Sequence, residues 1–194
     1  SNAMTGVRYP SLAAAVADEE RGSGVGLERL LDERVIAPDV ALIPDVAGLH
    51  GIIDVAEKGV LFVEIVTHGR QAHGSRPELG VNAAAVLVDF LHRLRQRPVP
   101  IATHPLFTPT TMNLGSIHGG AAPNMVPARC TAALDIRFLP GQTREQMLAH
   151  LEAVAAEVRR DHPQARLDVH PMACMAPTET PPDHPLVTCL RQAV

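Results

Sequence analysis

The sequence predicts a mixed α and β protein. Its main unit is α+β, of order β-α-β-β-α-β: a four-stranded antiparallel sheet with two helices on one face, the ferredoxin-like arrangement. Three observations predict it. Residues 59–69 are an apolar run bounded by glycines, and residues 110–117 lie between Pro109 and the turn His-Gly-Gly-Ala-Ala-Pro, as strands do. Residues 126–138 alternate: Cys130, Ala132, Leu134 and Ile136 on one side, Thr131, Ala133, Asp135 and Arg137 on the other. Two longer stretches repeat apolar residues every three or four positions instead, which is helical spacing. The unit spans residues 58–172, and a piece of α/β sheet precedes it.

The elements follow in order. Ser1-Asn2-Ala3 before Met4 reads as an expression-tag scar and is left out of fold reasoning. Residues 12–17 are short and apolar and read as a strand that ends in Asp18, Glu19 and Glu20. Gly22-Ser23-Gly24 is a turn. Leu27, Leu30 and Leu31 mark a short amphipathic helix, stopped by Pro38-Asp39. Val-Ala-Leu-Ile at 40–43 reads as a compact strand ending at Pro44-Asp45. Strand, helix and strand together suggest part of a parallel α/β domain over residues 1–57.

Residues 59–69, rich in Val and Ile, open the second unit as a strand. The helix from Asn82 to Arg95 lines Ala83, Val86, Leu87, Phe90, Leu91 and Leu94 on one face, and Pro98 and Pro100 end it. Two strands, 110–117 and 126–138, flank the turn His-Gly-Gly-Ala-Ala-Pro. Pro140-Gly141 then leads into a helix at 143–160, where Thr143 and Gln146 have capping-box spacing. Met147, Leu148, Leu151, Val154, Ala155 and Val158 form its buried stripe. Leu167 and Val169 mark the last strand. A proline-rich segment, 177–187, leads into a helix starting near His184, and residues 173–194 read as the return to the first domain.

Composition excludes some functions. The 194 residues carry a net charge of -4 with no basic run, one Tyr and no Trp. That offers no footprint for nucleic acid and few platforms for stacking bases. No apolar run reaches the roughly 20 residues of a membrane span. The three cysteines, Cys130, Cys174 and Cys189, have no C-x-x-C spacing. They read as reduced, mostly buried thiols of a cytoplasmic protein.

Four constellations could carry chemistry. Glu19 and Glu20 end a strand, where neighbouring side chains point to opposite sides, so one could bind a metal while the other handles a proton. The plain alternative is a solvated strand end. Asp45 is a second acid at a strand end. Two carboxylates are too few for a zinc site alone, since a catalytic zinc takes about three protein ligands. No H-x-D occurs, and the one H-x-E, His150-Leu151-Glu152, falls within a helix as an exposed pair. His73 lies in a glycine-bearing loop between strand and helix, where it could donate to a developing oxyanion or merely cap the helix. Asn124 and Arg137 flank one strand, and an amide with a guanidinium suits a carboxylate. Alternatively Arg137 pairs with Asp135 on its own strand face.

In order along the chain, A-D-E-E-R-G-S-x-x-G, P-D-x-A-L-I-P-D, H-G-R-Q-A-H-G-S-x-P-x-x-G-V-N-A, N-L-G-S-I-x-G-G-x-A-x-N-M-V-P and L-D-I-R-F-L-P-G resemble the acetylornithine deacetylase / succinyl-diaminopimelate desuccinylase / carboxypeptidase G family. The resemblance implies a dinuclear metallohydrolase that cleaves N-acyl amino acids and peptides. It implies an α/β catalytic domain interrupted by a ferredoxin-like lid that dimerises. By the motif match Glu19 resembles the general base. Glu20 and Asp45 resemble ligands of two metals, zinc or cobalt or manganese. His73 resembles the lid histidine that reaches the partner subunit's active site. Asn124 and Arg137 resemble residues that hold the substrate carboxylate. The family's H-x-D motif, bridging aspartate and late histidine ligand have no counterpart. The expectation is therefore a lid plus part of a catalytic domain, inactive by itself. The rival reading is a non-enzymatic ferredoxin-like module that binds a small molecule or dimerises.

Overall fold

The computed structural model describes residues 12–16, 25–43 and 52–193. The chain divides into two compact units, residues 1–47 and 48–194. In the first, α1 (Leu27–Asp32) forms where the leucine spacing predicts it. Arg29 Nε donates to Glu33 Oε1 at 2.8 Å, one helical turn along. The expected strands are not formed at 12–16 or 40–43, and Val40, Leu42 and Ile43 are exposed. An apolar strand of a parallel sheet is held by neighbours that cover it. Among the described residues nothing pairs with these runs, so apolar content alone leaves them irregular.

The second unit holds β1 (Ala56–Glu57), β2 (Gly59–His68), α2 (Ala83–Gln96), β3 (Thr111–Gly119), β4 (Arg129–Phe138), α3 (Arg144–Asp161), β5 (Arg166–Met175), β6 (Thr178–Glu179) and α4 (Pro185–Ala193). The sheet order is β3-β4-β2-β5, and every pairing is antiparallel. This is the predicted β-α-β-β-α-β unit. β1 and β6 form a separate two-stranded ribbon. β4 starts at Arg129 rather than 126 because the preceding residues bond elsewhere: Val126 N donates to Ala72 O, and Pro127 has no N–H to give.

The alternation read in the sequence is the alternation of the core. Leu61, Val63 and Ile65 of β2 join Cys130, Ala132, Leu134 and Ile136 of β4 beneath the two helices. Phe90 of α2 and Met147, Leu151 and Val158 of α3 close over them. Burying each such large apolar side chain contributes about 1.5–3 kcal/mol.

Both helices start at the caps their sequences carry. Asn82 Oδ1 accepts from Ala85 N at 3.1 Å. Gln146 N donates to Thr143 Oγ1 at 3.2 Å while Thr143 N donates to Gln146 Oε1 at 3.0 Å, a complete capping box. An ionic network ties the helices together: Arg93 to Asp89 and Asp161, each at 2.8 Å, and Arg97 to Glu157. Hydrogen bonds from Arg93 hold the Asp89 and Asp161 carboxyls below their ordinary range, and Arg97 does the same for Glu157.

The two sheet edges differ. β3 carries a bulge at Gly115 and presents Leu114 and Ile117, 42% and 53% exposed. Val88 of α2 is 64% exposed. β5 carries Pro171, which cannot donate to a further strand, and an irregularity opposite Phe62 and Val63. All three cysteines are free, but only Cys130 is buried. Cys174 and Cys189 are exposed, contrary to the expectation of mostly buried thiols, because the far end of β5 and this part of α4 are uncovered. Among the described residues, no helix is long and apolar enough to cross a membrane.

Candidate functional site

The loop after β2 and the loop before β4 are joined backbone to backbone. Gly69 N donates to Ala128 O at 2.8 Å, Val126 N to Ala72 O at 2.9 Å and Gly74 N to Asn124 O at 2.7 Å. His73 and Met125 form an isolated antiparallel bridge. Glycine at 74 permits this close approach: a Cβ there would sit 3.0–3.1 Å from the Asn124 backbone, which would have to give by a few tenths of an ångström. The turn that brings the second loop back passes through Gly120 at φ +80°, a left-handed conformation that glycine adopts at little cost.

His73 and Asn124 are thereby brought together, and both are exposed. His73 Nδ1 lies 2.8 Å from Ser75 Oγ and accepts from Ser75 N at 3.2 Å. Its Nε2 and the Asn124 side chain have no protein partner among the described residues. The helix-capping alternative for His73 does not apply, because Asn82 caps α2. Two polar groups without protein partners among the described residues, on a braced pair of loops, can meet an oxygen-rich ligand without rearranging, the condition under which donors are most effective at a developing negative charge.

Arg137 lies elsewhere. His68 pairs with Arg129 at one end of β4, and Val60 pairs with Arg137 near the other. Arg137 lies eight steps along the strand from Arg129, about 26 Å at the usual rise. His73 and Asn124 belong to the first end. In one chain, therefore, Asn124 and Arg137 are not neighbours, although the sequence spacing had grouped them. Arg137 Nη2 donates to Asp135 Oδ2 at 3.0 Å. Nε lies 2.7 Å from Oδ1 but off the hydrogen-bonding direction, so that contact is ionic only. The guanidinium also sits 5.6 Å from the centre of the Phe62 ring. The pairing with Asp135 read as an alternative is thus present, and Nη1 is left without a protein partner among the described residues.

Glu19, Glu20 and Asp45 lie outside the described residues. Among the described residues no group of three or more His, Cys, Asp or Glu could hold a metal ion. His150 Nε2 is bonded to Arg97 O and Glu152 to Arg159, so the one H-x-E pair is structural, as its helical position suggested. Sequence reasoning missed Ser75 and Phe62. Ser75 stands two residues from His73, a spacing at which side chain and backbone can meet. Phe62 carries no such local sign, because its partner is reached across the sheet.

Comparison with known proteins agrees with this architecture. Residues 55–163, more than half of the chain, match the family described as the peptidase dimerisation domain. Acetylornithine deacetylase of Klebsiella pneumoniae (strain 342) is 34% identical over 190 residues, covering 95% of this chain and 49% of that protein. The Photorhabdus laumondii acetylornithine deacetylase is 32% identical over 192 residues, with 96% and 49% covered. This chain spans about half the length of the curated relatives it matches. Among solved structures, aminopeptidase PepT from Bacillus cereus superposes with a TM-score of 0.68 at 23% identity, covering 89% of this chain and 44% of that one. A tripeptidase from Staphylococcus aureus superposes at 0.56 and 18% identity, covering 72% and 35%. These two share the fold. The chain belongs to the family of peptidase dimerisation domains.

Proposed function

We propose that this chain is the lid and dimerisation part of a metal-dependent amidohydrolase acting on N-acyl amino acids or small peptides. Residues 58–172 would be the lid, and 1–57 and 173–194 parts of the catalytic domain. Glu20 and Asp45 would hold zinc, cobalt or manganese, and Glu19 would take the proton of the attacking water. When bound, the metal pair supplies an activated water and polarises the scissile carbonyl. His73 would donate to the oxyanion, with Asn124 beside it, and Arg137 would take the substrate carboxylate.

The observation that carries the reading is the separation along β4. A small N-acyl amino acid cannot touch His73 and Arg137 of one chain across about 26 Å of strand. Two copies can supply them to a single site, which is what a homodimeric lid would achieve. The β3 edge suits such pairing: it presents Leu114 and Ile117 and has no proline, whereas β5 carries Pro171. The free thiols fit a cytoplasmic protein.

The test is an assay of the protein that carries both this chain and the rest of the catalytic domain. It is loaded with zinc, cobalt or manganese and offered a panel of N-acyl amino acids and dipeptides. Metal-dependent release of the free amino acid is expected, with a loss of roughly 10²–10³-fold in His73→Ala, the size of one oxyanion donor. No hydrolysis across the panel, or full activity in His73→Ala, refutes the reading.

A further inference from the structure

We propose that Ser75 is a positioning residue that keeps the neutral His73 ring in the tautomer with its proton on Nε2. The inference rests on the reading of His73 as an oxyanion donor, and it follows from two contacts to one ring atom. Ser75 N donates to His73 Nδ1 at 3.2 Å. A backbone N–H can only donate, so Nδ1 presents a lone pair. Ser75 Oγ lies 2.8 Å from that same nitrogen, and against an accepting nitrogen its hydroxyl must donate as well. Both hydrogens converge on Nδ1, and a neutral imidazole then carries its own proton on Nε2.

The turn that makes these contacts is fixed from outside. Gly74, between the two residues, is bonded through its N–H to Asn124 O at 2.7 Å, and Arg76 N donates to His73 O at 2.9 Å. Ser75 is therefore held where its N–H and hydroxyl meet the ring. Nε2 has no protein partner among the described residues, so the nitrogen left free is the one that bears the hydrogen. An oxyanion requires a donor, and the opposite tautomer would present it with a lone pair. Ser75 removes that wrong form without touching substrate.

Long-range 15N–1H correlation NMR on the 194-residue chain tests this directly, at about pH 8.5 where an ordinary histidine is neutral. The expected result is a pyridine-like shift for His73 Nδ1 and a pyrrole-like shift for Nε2. Ser75→Ala should lower the ratio of Nε2–H to Nδ1–H roughly three- to tenfold, the value of one net hydrogen bond, and Ser75→Thr should restore it. In the catalytically complete protein, Ser75→Ala should lower kcat in proportion to the fraction of the Nε2–H form that the NMR shows to be lost, with KM unchanged, again restored by Thr. A dominant Nδ1–H form in the wild type, an unchanged ratio in Ser75→Ala, or a kcat that does not follow the measured Nε2–H fraction overturns the inference. Full activity in His73→Ala defeats the underlying reading instead, while the NMR result still judges the tautomer.

Discussion

The two ends of β4 present polar groups in opposite conditions. At the Arg129 end, His73 Nε2 and the Asn124 amide have no protein partner among the described residues, on loops braced by backbone hydrogen bonds. At the other end, Arg137 is already held by Asp135 and lies over Phe62. A neutral donor can be left unpartnered at the surface at little cost, because water satisfies it. A guanidinium beside a carboxylate is neutralised in advance, so a bound anion gains less from it unless it uses the free Nη1 side. The difference teaches that rigidity comes from backbone stitching at one end and from side-chain pairing at the other.

The sharpest way to break this comparison is a mixing experiment. In the catalytically complete protein, His73→Ala and Arg137→Ala should each be nearly inactive alone. Exchanging subunits between them should restore roughly a quarter of wild-type activity, because half of the dimers then hold one intact site. No recovery on verified subunit exchange would mean that one chain supplies both residues, against the distance along β4. A smaller effect should follow from Gly74→Ala, whose Cβ presses on the Asn124 backbone. Parting the loops by a fraction of an ångström should lower kcat roughly tenfold or more, with little change in Tm. A fully active Gly74→Ala would show that the stitching does not set the geometry.

How much was legible in the sequence follows from the range of the forces involved. The β-α-β-β-α-β order was, because alternation in β4 and the stripes of α2 and α3 are local records of which side is buried. The capping box of Thr143 and Gln146 was legible for the same reason. The strands expected at 12–17 and 40–43 are not formed over the described residues 12–16 and 40–43, since an apolar run reports burial only where neighbours bury it, and none does so among the described residues. At the site, His73 and Asn124 stood out as loop residues, but their meeting depends on hydrogen bonds between segments about 50 residues apart. The grouping of Asn124 with Arg137 does not hold within one chain, because 13 residues is a short step in sequence and most of a sheet's length in space.

The smallest effect concerns the helix pair behind both ends. Asp89, Glu157 and Asp161 have carboxyls held below their ordinary range by Arg93 and Arg97. Their folded pKa values lie below the unfolded ones. Their contribution is therefore present above the ordinary carboxylate range and is lost as pH falls through the depressed values. A thermal melt series should show Tm holding near neutrality and declining below about pH 4, and Arg93→Met should flatten part of that decline. An unchanged slope would remove the network from any account of stability.

The β1–β6 ribbon has a consequence for inheritance. Glu57 faces Thr178 and Ala56 faces Glu179, so the chain leaves the sheet-and-helix body beside the point where it came in. Antiparallel partners are about 5 Å apart, a gap that a two-residue turn closes. Everything between the two strands is thus a cartridge. Ends that lie this close together are the condition under which a segment can be inserted into another chain, or left out of it, while the polypeptide on either side keeps its course.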